Sequence, residues 1–312
     1  MKLRIIFLKK TTILNLLVVL PLLVLFVFSI KNKSIDTFNM DTKVFIKKLD
    51  LTGDGINDIL YVKNQNNKYY IQINSKDAAY SLDPNPNLNT NGSFISYNPL
   101  KLSFVDITRD KTPEIFLQAY QNSTPIQHIY YWENNNFKDI FYSTNNLFGF
   151  SDYKNNRTTK VLSGNYVGGK IYLSNYMFIR NKFEKYEYNY DKNYYGTEVM
   201  GDLINYIETL HYFQNNDVSY SLFQDNISLK NNLLTHLPST NIYTFQSGVF
   251  NDTKCDRSGN ATEVVWNLNL KCCENGNYEN TTSVKMSVYL KTSKKTTEDN
   301  KETFMIYKIK YE

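Results

Sequence analysis

The chain has 312 residues, 42% of them hydrophobic and 15% aromatic, including 26 Tyr and 19 Phe. This supplies ample apolar material for a core, which excludes global disorder, and with many Val, Ile and Thr it favours strands. Much of the net charge of +5 comes from the N-terminal tail, so the body is near neutral and no basic stripe points to nucleic acid.

Residues 1–10 read MKLRIIFLKK, with Lys2, Arg4, Lys9 and Lys10 as cations. Residues 11–30, TTILNLLVVLPLLVLFVFSI, carry no charge. A helix of that length rises about 1.5 Å per residue and spans roughly 30 Å, the hydrocarbon thickness of a bilayer. Pro21 is compatible with a membrane helix when neighbouring groups satisfy the freed carbonyl. The run is longer than a signal-peptide core and ends Phe28-Ser29-Ile30-Lys31 without an A-x-A site, so the expectation is a retained transmembrane anchor. The basic flank predicts a cytoplasmic tail at residues 1–10 and an extracytoplasmic body from about Lys31.

Two segments then repeat. Residues 50–60 read DLTGDGINDIL and residues 106–116 read DITRDKTPEIF; a fainter copy at 152–162 reads DYKNNRTTKVL. Apolar stretches flank each one, predicting strand, acidic loop, strand. In the first loop Asp50, Thr52, Asp54 and Asp58 occupy positions 1, 3, 5 and 9, the Ile56 carbonyl falls at position 7, and Gly55 sits at the sharp turn. A Ca²⁺ ion takes six to eight oxygens at about 2.3–2.6 Å, and alternate positions of a tight loop converge on such a centre. An acidic β-turn without metal would use the same residue types. Tyr61 stands where an EF-hand has its final glutamate, and no helical period flanks the loop, so it is not an EF-hand.

The second loop keeps Asp106, Thr108, Asp110 and Glu114, with the Thr112 carbonyl available. It is expected to be the weaker site, because Lys111 replaces the glycine and Arg109 adds positive charge. In the third copy Asp152 is retained, but Lys154, Asn156 and Lys160 take the remaining ligand positions. That loop is expected either to be degenerate or to use Lys160 in place of a cation.

These loops resemble those of FG-GAP/VCBS repeat proteins, whose D-x-[DN]-x-D-G-x-x-[DE] loops join the strands of β-propeller blades. The resemblance covers roughly residues 40–185 and implies structural calcium at both loops. The layout is similar to membrane-anchored VCBS repeat proteins of low-GC Gram-positive bacteria. Three copies are fewer than the roughly seven blades of an integrin-type propeller. A partial propeller-like, mainly β repeat region is therefore expected over residues 36–190.

The aromatic run YEYNYDKNYYG at 186–196 is the expected boundary to an α+β domain at 197–312. Val199, Leu203, Ile204, Ile207 and Leu210 form one stripe, predicting a helix over Glu198–Asn215 capped by Thr197. A second short helix is predicted near Ser221–His236. Strands are predicted at Tyr243–Phe250, Glu263–Leu270, Ser283–Lys291 and Phe304–Tyr311, with turns at Ser258-Gly259-Asn260 and Asn275-Gly276-Asn277. The order resembles a cystatin-like or NTF2-like cone in architecture alone. The acidic cluster from Asp252 to Glu263 fits a hairpin better than a cation loop. Cys255, Cys272 and Cys273 are either buried strand thiols or include one bridge from Cys255.

His128, His211 and His236 have no metal-binding spacing, and no nucleophile elbow, P-loop or dinucleotide fingerprint is present. The sequence thus predicts a membrane-anchored, extracytoplasmic binding or scaffold protein and no enzyme. Its expected partners are the membrane and a protein or glycan ligand. The alternative is a cell-envelope hydrolase with a carboxylate pair roughly 5–10 Å apart.

Overall fold

Three antiparallel units of four strands follow one another along the chain, each a meander. In the computed structural model, residues 45–151, 159–180, 182–187, 194–212, 222–223, 226–274, 277–294 and 302–311 are described. The expected membrane helix at 11–30 lies outside them; among the described residues no helix is long and apolar enough to cross a membrane. The first unit is β1 (Phe45–Leu49), β2 (Asp58–Gln65), β3 (Lys68–Asn74) and β4 (Ala79–Ser81). The second is β5 (Lys101–Val105), β6 (Glu114–Gln121), β7 (Thr124–Glu133) and β8 (Asn136–Ser143). The third is β9 (Leu147–Ser151), β10 (Lys160–Val167), β11 (Lys170–Ile179) and β12 (Lys182–Tyr186). The three sequence copies occupy the same place in each unit, between its first and second strands.

Tight turns follow from residues that tolerate positive φ. Asn66-Asn67 closes β2–β3 at φ 51° and 61°, and Asn134-Asn135 closes β7–β8 at 53° and 60°. Both pairs suit the primed two-residue turns whose twist matches the strands.

The units stack through apolar faces. Strand β6, EIFLQAYQ, is buried on both sides over its first seven residues. Ile115, Leu117 and Ala119 pack into a cluster with Leu51, Leu60, Ile71 and Ile73 of the first unit. Phe116 faces the other way, with Ile107, Ile129, Phe148, Phe150 and Val161. A strand covered on both faces reads as a nearly continuous apolar run, as this one does.

The third unit departs from the expected division at 190–197. The C-terminal meander, β13 (Ile242–Cys255), β14 (Ala261–Cys273), β15 (Thr281–Lys294) and β16 (Glu302–Tyr311), joins it edge to edge. Strand β13 pairs in parallel with β9, from Gly248↔Leu147 to Asn251↔Phe150. The result is one eight-stranded sheet, β12-β11-β10-β9-β13-β14-β15-β16. Residues 197–312 are therefore no free-standing cone, and the units make an open array, not a closed propeller. Gly149 permits the joint: a Cβ there would meet the Phe250 ring at 2.1 Å, and that ring stacks on Trp266 with centroids 4.0 Å apart.

Helix α1 (Thr197–Thr209) buries Val199, Met200, Leu203, Ile204 and Ile207 in the core on one face of this sheet; with Leu210, just past its end, these are the predicted stripe plus Met200. Thr197 is its first helical residue and not its cap. Gly196 takes the cap position at φ 74°, with no side-chain hydrogen bond there. Helix α2 spans Asn226–His236, shorter than expected, and packs near β16. Cys255 and Cys272 lie at opposite ends of the β13–β14 hairpin, opposite Ala261 and Tyr243 respectively. Cys272 and Cys273 are buried at the end of the hairpin away from Cys255, which removes the bridge alternative.

Candidate metal centre

Both acidic loops are pinned by an apolar second residue. Leu51 and Ile107 are 0% and 1% exposed, each inserted into a cluster between units. Such insertion carries a backbone N–H away from water, where it needs an acceptor. The carboxylate at position 9 provides it. Asp58 Oδ2 accepts from Leu51 N at 2.7 Å, and Glu114 Oε2 accepts from Ile107 N at 2.7 Å.

The remaining carboxylates hold the two loops in the same register. Asp50 accepts from Gly53 N at 2.7 Å and Gly55 N at 2.9 Å. Asp106 accepts from Arg109 N at 2.6 Å and Lys111 N at 3.0 Å. Asp54 accepts from Ile56 N at 2.8 Å, and Asp110 from Thr112 N at 2.7 Å. The backbone paths match as well. Gly53 and Gly55 have φ of 75° and 82°, and Arg109 and Lys111 have 67° and 74°. The missing glycine thus does not change the shape of the second loop. It leaves two side-chain-bearing residues in a left-handed conformation that costs roughly 1–2 kcal/mol each.

The loops differ at position 9. Asp58 is short and turns onto the loop, its Oδ2 also accepting from Thr52 N at 3.0 Å and its Oδ1 from Thr52 Oγ1 at 3.5 Å. Glu114 is one methylene longer. Ligand atoms of Asp106, Asp110 and Glu114 all lie within 4.8 Å of one another, the one such acidic triad among the described residues. Oxygens on opposite sides of a Ca²⁺ ion stand about 5 Å apart, twice the metal–oxygen distance. The second loop's donor set therefore fits a hard cation. The carboxylates of Asp50, Asp54 and Asp58 do not converge in this way. Lys154 and Asn156 of the third copy lie outside the described residues, and Lys160 is the first residue of β10.

Electrostatics sharpen the contrast. Glu114 is 2% exposed. Burial pushes its carboxyl up to about 7, the Ile107 N–H opposes the rise, and the Asp106 carboxylate adds to it. The two loops also touch. A Cβ on Gly53 would lie 2.6 Å from Thr112 Oγ1, so the tip of one loop leaves no room for a side chain beside the other.

The histidines stand apart from this centre. His128 is fully buried, with Nδ1 2.6 Å from Asp139 Oδ2 and Nε2 2.9 Å from the Thr90 carbonyl oxygen. It ties β7 to β8 and to the segment before β5, a role without a sequence signature. His236 stacks on Tyr311 with centroids 4.1 Å apart. Asp256 caps the β13–β14 turn, accepting from Ser258 N and Asn260 N at 2.8 Å each.

Residues 50–117 match the family model of the FG-GAP-like repeat, a span that takes in both acidic loops and the strands between them. Neither the curated proteins nor the solved structures compared with the chain gave a match.

Proposed function

We propose that this protein is a membrane-tethered, extracytoplasmic binding or scaffold protein whose β repeats are stiffened by calcium. The repeat match over residues 50–117 supports the binding-platform part of this reading. The tether is residues 11–30, by length and lack of charge. One observation carries the calcium part: the convergence of Asp106, Asp110 and Glu114 within 4.8 Å. Those three carboxylates would hold the ion, with Thr108 and the Thr112 carbonyl as the further oxygens of the loop. Asp50, Thr52, Asp54, Ile56 and Asp58 form the lesser site. Calcium supplies positive charge that offsets the crowding of three carboxylates.

The chain's own part is to present them. Ile107 anchors the loop between stacked units, and Asp106 bonds to two backbone N–H groups to set its curvature. With both loops rigid and in contact at Gly53 and Thr112, the first two units would move as one surface against a protein or glycan partner. The proposed role is binding and includes no catalysis.

The test is the melting temperature of the full chain against calcium concentration. A ligand at 100 times its Kd adds about 2.7 kcal/mol of stability. A rise that magnesium reproduces poorly supports the proposal. A melting temperature indifferent to calcium would leave the loops as acidic turns satisfied by their own backbone.

A further inference from the structure

The eight-stranded sheet is twice as wide as the unit stacked on it. One face is covered by α1 and α2 over Val264, Trp266, Val288, Leu290 and Ile306. On the opposite face, the second unit packs against Phe148, Phe150 and Val249 of β9 and β13. The segment before β5 extends this cover onto β14, where Asn269 Nδ2 donates to the Tyr97 carbonyl at 3.0 Å. Beyond it, β15 and β16 continue the same face with side chains that, apart from the buried Ser287, are half-exposed or exposed.

Strand register decides what gathers there. Lys285 stands opposite Asn269, Tyr289 opposite Val265, Lys291 opposite Glu263, and Lys308 opposite Tyr289. A β-bulge between Tyr289 and Leu290 sets two residues of β16, Tyr307 and Lys308, on this face, which is how bulges re-aim side chains. Strands β14 to β16 carry six lysines and two glutamates. Of those glutamates, Glu263 is taken by Lys254 at 2.7 Å. These lysines form no run in the sequence and meet only through pairing.

The aromatic rings are not free platforms. Lys308 and Lys310 lie over the Tyr289 ring at 5.5 and 5.7 Å from its centroid, and Lys291 over Tyr307 at 5.3 Å. Bases and neutral sugars bind by stacking on open ring faces, and these faces carry ammonium groups instead. The outer edge of β16 is met by Phe223, bridged in parallel to Ile306, which obstructs a peptide adding as a further strand. A planar bilayer would meet the second unit, which stands on the same face, before reaching the lysines. Sheets pack about 10 Å apart, so that unit forms a wall of about this height.

We propose that the uncovered half of this face, floored by Lys285, Tyr289, Lys291, Tyr307, Lys308 and Lys310, binds an extended anionic polysaccharide. The inference rests on the reading of the chain as a binding module and names its partner class. Lysine ammoniums are point charges without the planar fork of arginine, which suits charges spaced along a flexible chain. The chain lies along β15 and β16 beside the wall of the second unit.

The experiment measures binding of the full chain to hyaluronate in chelator, across a range of salt, below the melting point of the calcium-free protein. Neutral dextran, single-stranded DNA, polyglutamate and phosphatidylglycerol vesicles are the comparison probes. Binding to hyaluronate should weaken as salt rises, and dextran should not bind. The triple variant Lys291→Gln/Lys308→Gln/Lys310→Gln should lose about tenfold or more at low salt, with a flatter salt dependence. A control triple on the first unit, Lys47→Gln/Lys48→Gln/Lys68→Gln, should bind like the parent. If the first triple melts early, the exposed pair Lys308→Gln/Lys310→Gln carries the same test. Absence of hyaluronate binding, equal loss in the control, or tighter binding of DNA, polyglutamate or vesicles would overturn the proposal. Because calcium is chelated, failure of calcium stabilisation leaves this result untouched, and failure here leaves the calcium result untouched.

Discussion

The loops at 50–58 and 106–114 trace one backbone path with different residues. In the first, glycine takes the two left-handed positions freely, and a short Asp58 turns one oxygen, Oδ2, onto two backbone N–H groups. In the second, Arg109 and Lys111 are held in the same conformation by Asp106. There Glu114 reaches toward two other carboxylates. In both loops the backbone satisfies the carboxylates at positions 1 and 5 in the same way. The loop that looks worse by motif keeps a strained backbone and a crowded acidic triad. Departure from the motif is thus a poor guide to where carboxylates converge.

Four measurements test this contrast. The largest effect is expected from Asp58→Ala, which strands the N–H groups of Leu51 and Thr52. It should cost about 4 kcal/mol in urea unfolding without metal. Glu114→Ala strands one such N–H and also removes a buried carboxylate, so it should cost about half as much. Equal costs would mean that the two position-9 carboxylates do the same work.

The next effect is a pH dependence set by Glu114. Glu114 has its carboxyl raised from an ordinary 4.5 to about 7 in the fold, so the folded chain binds that proton more tightly than the unfolded chain. Its stabilising contribution is complete at pH values below 4.5 and is lost as pH rises through about 7. The change is on the order of 3 kcal/mol. In Glu114→Gln, which keeps an acceptor for Ile107 N, that part of the slope should vanish. An unchanged pH profile would remove the crowding from the account of this loop.

Calcium should then separate the loops by exposed residues alone. At 100 times its Kd, the expected gain of about 2.7 kcal/mol should be lost in Asp110→Ala and largely kept in Asp54→Ala. The reverse pattern would restore the ranking expected from the motif. The smallest effect is on the backbone. Lys111→Gly should stabilise the metal-free protein by about 1 kcal/mol, and Gly55→Ala should cost about as much. A Cβ on Gly55 has nothing within 4 Å, so that cost is conformational. Thermal melts of the two variants check both signs.

Much of the architecture was legible because it is local. The repeated loops, the four C-terminal strands and the α1 stripe from Val199 to Ile207 follow from side-chain period, and turn residues such as Ser258-Gly259-Asn260 mark the hairpins. Thr197 misled because a threonine before an apolar stripe reads as a cap, whereas Gly196 in a left-handed conformation fits where a Cβ would lie 2.5 Å from Leu290 Cδ2. Nothing local marks that contact, since Leu290 is far along the chain.

By itself the sequence determined the kinds of element, their order, and the positions where carboxylates gather in tight loops, because periods of two and 3.6 and single-turn chemistry act over a few residues. Only the tertiary structure decided that β9 and β13 share an edge, which fuses the third unit to the C-terminal meander. It also decided that one methylene in Glu114 closes an acidic triad that Asp58 leaves open, and that lysines from separate strands meet on one uncovered face. Each of these depends on distances between segments tens of residues apart, which packing sets and local preference does not.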